Sequence, residues 1–337
     1  MLVRALSSRN LLDGVDVILA DLDGVIYKGA GAIPYAVESI NAAVDAGVRV
    51  GYITNNASRT DVSVAEHLSE FGLTVDPTDV VTSPQAGVLL LADLVPAGST
   101  ILVVGGEGLT VELEKAGFVV TRSALDSPAA VIQGFSPEVG WVHLAEAAFA
   151  LHTGIPWVAT NADWTIPVAR GTAPGNGTLV SAVHTAVGRL PVVAGKPEVA
   201  MFTLATERFG SAKAVVIGDR LDTDILGANR AGLESILVLT GIDQAKQVLA
   251  AEKDQRPDVI LDDLRQLTEP YPETVVDERA DGTVVTTVGS ASVARAGEQL
   301  TILEAGTPID RLRAGAAAIW LSGQGIYAFR VPPELYS

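Results

Sequence analysis

Apolar runs of strand length alternate with amphipathic stretches along most of this chain. Val17-Ile18-Leu19-Ala20 is wholly apolar and ends in Asp21-Leu22-Asp23-Gly24-Val25. From Pro34, the residues Ala36, Val37, Ile40, Ala43 and Val44 form one stripe at helical spacing, which Gly47 closes. Val48 to Ile53 predicts a second buried strand running into Thr54-Asn55-Asn56, and a helix follows from about Thr60 with Val64, Leu68 and Phe71 on one face. Apolar strands alternating with helices predict a parallel α/β sheet.

Beyond Thr82 the pattern predicts strands at Ile101–Val104, Ala129–Gln133 and Trp157–Thr160. Helices are predicted near Gln85–Leu94, Leu109–Ala116, Glu138–Leu151 and Gly177–Val187. The doubly wound pattern then resumes: a helix from Pro197, with the proline in its first turn, a strand at Ala214–Ile217, a helix from Asp222 and a strand at Ser235–Leu239. Pro257 to Ile260 and a helix from Asp262 complete it. Past the linker at Pro270 and Pro272, a hairpin is expected to turn at Asp281-Gly282. A helix near Thr307–Ala317 and a strand at Ile326–Val331 follow. The expected organisation is a core at 1–81 and 191–268, an inserted α/β unit at 82–190, and a small α+β extension at 269–337.

Composition narrows the function. A net charge of −17 argues against non-specific binding of nucleic acid or an anionic membrane, though a local pocket can still be positive. The absence of cysteine excludes disulfides and thiolate chemistry. Asp13 and Asp16 interrupt any signal-peptide core, and no segment approaches bilayer-spanning length, so a cytoplasmic enzyme without membrane insertion is expected. His67, His143, His152 and His184 lack metal-ligand spacing, and Gly105-Gly106-Glu107-Gly108 lacks the third glycine of a dinucleotide loop.

The candidate chemistry sits at strand ends. Asp21 and Asp23, one residue apart on an extended chain, can project to one side, and their repulsion calls for a cation or a proton. Thr54 offers a hydroxyl followed by backbone amides, and Lys196 in Gly195-Lys196-Pro197 offers a point charge. Val216-Ile217-Gly218-Asp219 through Asp224 opens a further strand into acids. Open parallel sheets bind ligands beyond the carboxyl ends of their strands, so acids, threonine and lysine together describe a magnesium-dependent phosphoryl-transfer site. Asp222 reads as a helix N-cap or a solvated acid, and Arg59 and Arg220, which could reach a phosphate, read more simply as helix-surface charges.

Those four segments, in order, resemble the four motifs of the haloacid dehalogenase superfamily. Ala159-Thr160-Asn161-Ala162-Asp163 with Pro174-Gly175-Asn176-Gly177 resembles the class IIA phosphatases and their C2-type cap. The resemblance covers roughly residues 15 to 268 and implies a Rossmann-like core with the cap at 82–190. It implies Asp21 as nucleophile, Asp23 as acid and then base, and Thr54 and Lys196 on the phosphoryl oxygens. It further implies Mg2+ at Asp21, the Asp23 backbone and Asp219, with Asp224 behind them. Asn55 is expected to anchor Asp21 or phosphate, Asn55 and Asn56 to bind phosphate, and Asn161, Asp163 and Asn176 to face the substrate.

The implied substrate is a small phosphorylated metabolite, glycerol 3-phosphate first. Phosphoglycolate, nucleotides, pyridoxal phosphate or p-nitrophenyl phosphate are the alternatives, as is transfer to another acceptor. Caps of this type can mediate homodimers. The extension at 269–337 lies outside the resemblance; it is too short for a complete acyl-CoA-dependent transferase and reads as an acetyltransferase-like fragment with a regulatory, dimerising or core-covering role.

Overall fold

A computed structural model describes residues 9–168 and 170–336. The chain divides into two compact units, one formed by residues up to Lys28, Ala32–Arg49 and Lys213 onward, the other by Gly29–Gly31 and Val50–Ala212.

In the first unit, four parallel strands lie in the order Val259–Leu261, Glu234–Val238, Ala214–Gly218, Val17–Ala20. Ala214 pairs with Val17 and Ile217 with Ala20, so the strands that precede Asp21 and Asp219 end side by side. All four residues of Val17–Ala20 are buried, as a strand covered on both faces requires. The helix at Ala36–Asp45 buries Ala36, Ile40 and Ala43 from the expected stripe, while Val44 is exposed.

The extension is an integral part of this unit. Strands Thr274–Glu278, Val284–Val288, Ala291–Ala296 and Gln299–Glu304 form an antiparallel sheet in chain order, and the first hairpin turns at Asp281-Gly282 as expected. The helix Pro308–Trp320 starts on a Thr307 side-chain cap. One apolar core joins Leu237, Val248, Leu249 and Ile260 to Val293, Leu300, Ile309, Leu312, Ile319 and Leu335. Two expectations change here. Ile326–Val331 is a short 3-10 turn at Ile326–Ala328 followed by a single bridge from Arg330 to Gln299. The segment after Asp262 is a 3-10 turn, Leu264–Thr268, capped by Asp263.

The second unit contains a five-stranded parallel sheet in the order Val192–Val193, Trp157–Ala159, Ala130–Gln133, Thr100–Val104, Val119–Thr121. Helices Ser83–Ala92 and Glu107–Lys115 cover one face through Leu91, Leu109 and Leu113. Helices Trp141–Leu151 and Asn176–Val187 cover the other through Ala147, Leu151, Val180 and Val183. The stretch 82–190 lies wholly inside this unit, together with Arg49–Thr54 (all but its first residue) paired parallel to Val80–Thr82. Helices Asp61–Glu70 and Val199–Phe209 also belong to it.

Candidate active site

Asp21 leaves the strand Val17–Ala20 with its amide donating to the Ile217 carbonyl at 2.8 Å, which keeps it in register with the neighbouring strand. The chain then turns: the Gly24 amide donates to the Tyr27 carbonyl at 2.8 Å, and Gly24 has φ 85°, a backbone that favours glycine. A Cβ there would also fall 2.3 Å from Asp219 Oδ2, so glycine is needed twice over. Asp21 is buried, whereas the Asp23 residue is exposed.

Carboxylate oxygens of Asp21, Asp219 and Asp224 all lie within 4.8 Å of one another, and all three residues are buried. Three carboxylates so close, out of water, are mutually destabilising unless a cation or protons offset the charge. All-oxygen donors suit a hard divalent ion such as Mg2+. The residues therefore fit the metal that the motifs imply.

Supporting groups come from the loop after Glu234–Val238, which sequence reading passed over. The Ile242 amide donates to Asp219 Oδ2 at 2.6 Å and the Asp243 amide to the Asp219 carbonyl at 3.1 Å. The Thr240 hydroxyl donates to the Gly24 carbonyl at 2.6 Å. One short loop thus grips both acid-bearing turns. Its signal was present: Leu239-Thr240-Gly241 is another apolar strand ending in small polar residues. Burial pushes the Asp243 carboxyl up, and the nearby Asp222 and Asp224 add to this, although its bond from the Leu221 amide opposes the rise.

Asp224 stands within the acid cluster, and its Oδ2 accepts from the Arg220 amide at 3.2 Å. Asp222 is the solvated acid of the two expected alternatives, held by the Arg220 guanidinium at 2.9 Å; it is not a helix N-cap, because it lies inside a π-helical turn from Leu221 to Ile225 that precedes Leu226–Ala231. Arg59 is exposed. Gly106, in the glycine-rich stretch, caps the helix Glu107–Lys115.

The second unit holds Thr54, Asn55, Asn56 and Lys196. Thr54 and Lys196 are both 3% exposed. Thr54 Oγ1 accepts from the Asn56 amide at 3.1 Å, and Lys196 Nζ donates to the Ile53 carbonyl at 3.4 Å. The peptide bond from Lys196 to Pro197 is cis, and the helix starts at Val199, so Pro197 precedes its first turn. Asn55 spends its side-chain amide on the backbone of Lys196 and on Asp163, and Asn56 Oδ1 accepts from Ser58. Asn161 and Asn176 are buried and bond to main-chain carbonyls, so in this conformation both build the loop rather than face outward.

The haloacid dehalogenase-like hydrolase family matches residues 18–119, and a second HAD-hydrolase-like family matches residues 193–267. The chain is similar to a D-glycerol 3-phosphate phosphatase of Mycobacterium tuberculosis, 42% identical over 90% of this chain and 86% of that protein. It is 34% identical to a glycerol-3-phosphate phosphatase of Gallus gallus over 74% of this chain and 88% of the other. Its fold is similar to the crystal structure of the M. tuberculosis glycerol phosphate phosphatase in complex with magnesium. That match has a TM-score of 0.83 and 40% identity, over 94% of this chain and 93% of that one. A p-nitrophenyl phosphatase from Archaeoglobus fulgidus matches with a TM-score of 0.70 and 28% identity, over 76% and 98% of the respective chains.

Proposed function

Because the chain belongs to the haloacid dehalogenase-like hydrolases, we propose that it is a Mg2+-dependent phosphatase that cleaves a small phosphomonoester by way of a phosphorylated Asp21. The observation that carries this reading is the buried cluster of Asp21, Asp219 and Asp224, with Asp23 exposed two residues after the first of them. Glycerol 3-phosphate is the preferred substrate, supported by two relatives named for it at 42% and 34% identity. On this reading residues 1–81 and 191–268 form the catalytic core, and 82–190 the cap that selects the ester.

The roles follow from the chemistry of each group. The Asp21 carboxylate attacks phosphorus, and the ester oxygen leaves as an alkoxide that takes a proton from Asp23. Asp23, now a carboxylate, accepts a proton from water as that water attacks the acyl phosphate, which frees inorganic phosphate and restores Asp21. The exposure of residue Asp23 suits a group that exchanges protons in both half-reactions. The Lys196 ammonium and the Thr54 hydroxyl offset charge on the phosphoryl oxygens, with the Asn55 main-chain amide as a further donor. Bound at the acid cluster, Mg2+ supplies the positive charge that lets an anionic nucleophile approach an anionic ester.

A small cytosolic metabolite as substrate supports a cytoplasmic location. Among the described residues, no helix is long and apolar enough to cross a membrane. Homodimerisation through the cap is supported by Trp141, Val142 and Phe149, exposed on the helix Trp141–Leu151.

A panel of phosphate esters with the purified protein tests the assignment. Phosphate release is expected to be highest with glycerol 3-phosphate and to stop when the divalent cation is chelated. Turnover of no ester, or turnover indifferent to chelation, would contradict it.

A further inference from the structure

We infer that Asn55 and Asp163 are positioning residues for Lys196, so that the loop at Asn161–Asp163 sets where the lysine meets a phosphoryl group. The inference rests on the phosphatase reading for the role of Lys196 and assigns the residues that place it.

Asn55 brackets the lysine's own peptide groups. Its Nδ2 donates to the Lys196 carbonyl at 3.0 Å, and its Oδ1 accepts from the Lys196 amide at 2.9 Å. The same Nδ2 donates to both Asp163 oxygens at 3.2 Å. A carboxylate and a carbonyl can only accept, so the nitrogen of Asn55 must face them and the orientation of the amide is fixed. Swinging the lysine main chain therefore means breaking two bonds to a side chain that Asp163 holds in place. The contact with a carboxylate is charge-assisted, the stronger kind of hydrogen bond.

Asp163 is itself held. The Asn161 Nδ2 donates to the Asn55 carbonyl at 2.7 Å, and Asn161 Oδ1 accepts from the Asp163 amide at 3.2 Å. The Asn176 Nδ2, fully buried at the start of the helix Asn176–Val187, donates to the Asn161 carbonyl at 2.7 Å. The Gly177 amide donates to the Asp163 carbonyl at 2.9 Å, and the Ser83 hydroxyl to the Asn55 carbonyl at 2.8 Å. The helix start fixes the loop, the loop fixes Asn55, and Asn55 fixes the backbone that carries the ammonium group. Any shift of the Asn161–Asp163 loop is thereby passed to Lys196.

The test uses the full chain and four variants, N55D, D163N, the double variant N55D/D163N, and K196M as reference. The readouts are competitive inhibition by inorganic phosphate, KM for glycerol 3-phosphate, Mg2+ binding by calorimetry without substrate, and Tm. N55D sets two carboxylates against each other and is expected to raise the phosphate inhibition constant and KM together by about tenfold or more. The double variant restores a donor–acceptor pair between positions 55 and 163 but leaves a carboxylate facing the Lys196 carbonyl, so it should recover a measurable part of that loss and stay weaker than the native chain. D163N, nearly isosteric, should raise both constants roughly threefold by exchanging a charge-assisted bond for a neutral one. Mg2+ affinity should stay within about twofold throughout, since the acid cluster keeps its residues. A loss of Tm with unchanged phosphate inhibition in both single variants, while K196M weakens it, overturns the inference and leaves the role of Lys196 standing. K196M with undiminished phosphate binding overturns that role as well.

Discussion

The Ile242 amide lies 2.6 Å from Asp219 Oδ2, so a residue with an inert side chain orients a buried carboxylate of the acid cluster. Gly241 makes the approach possible, because a Cβ at that position would lie 1.8 Å from the same oxygen.

Gly241→Ala is therefore expected to turn the Asp219 carboxylate out of the cluster. Groups that orient metal ligands typically contribute about 10–100-fold in affinity. Mg2+ affinity measured by calorimetry should fall by that order, with catalytic activity partly recovered at high Mg2+. Unchanged affinity would show that the loop does not set Asp219.

The extension should behave as part of the core rather than as a detachable module. Ending the chain before Pro270 would strip the cover from Leu237, Val248, Leu249 and Ile260, and the shortened protein is expected to aggregate or to melt far below the full chain. A finer probe is Arg313, only 6% exposed, whose guanidinium donates to the Ile260 carbonyl at 2.9 and 2.6 Å. It also meets Asp310 at 3.2 Å and stacks over the Tyr271 ring at 4.6 Å. Arg313→Ala should cost about 3–5 kcal/mol in a denaturant titration, the range for breaking a buried charged pair from one side.

Much of this was legible in the chain, for identifiable reasons. The strands Val17–Ala20 and Ala214–Gly218 are buried on both faces and so read as unbroken apolar runs, and polar residues at their ends stood out. The four-stranded sheet of the extension was harder to read, because Thr286 and Ser292 sit buried where an alternating pattern expects apolar residues, although Gly289-Ser290 and Gly297-Glu298 mark its second and third turns as clearly as Asp281-Gly282 marks the first. The hairpin Thr165–Val168 with Gly171–Pro174 gave none. The contribution of Ile242 was not legible at all, since any residue carries the amide it uses. Asn55 was expected to anchor Asp21 or phosphate, whereas its side-chain hydrogen bonds run to Lys196 and Asp163, more than a hundred positions away in sequence and so invisible to local pattern.

Acid should loosen the Asp310 network at a definable point. Burial pushes the Asp310 carboxyl up, but the Ser290 amide and hydroxyl, Thr307 and Arg313 outweigh it and hold it below the ordinary range. A carboxyl with a depressed folded value binds fewer protons folded than unfolded, so it contributes stability above its unfolded value and loses it as pH falls through the folded one. The difference in Tm between the native chain and Asp310→Asn should therefore be full near neutrality, shrink only below the ordinary carboxylate range, and vanish in stronger acid. A difference that stays constant across that range would rule out the ionised carboxylate as its source.

On the proposed mechanism Asp21 forms a bond to phosphorus, and turnover of glycerol 3-phosphate by Asp21→Asn under saturating Mg2+ decides whether it does. An amide removes the nucleophile while keeping the shape of the side chain, so kcat is expected to fall by about a thousandfold or more, with Tm retained. An Asp21→Asn enzyme that kept a substantial fraction of native kcat would show that Asp21 is not the nucleophile.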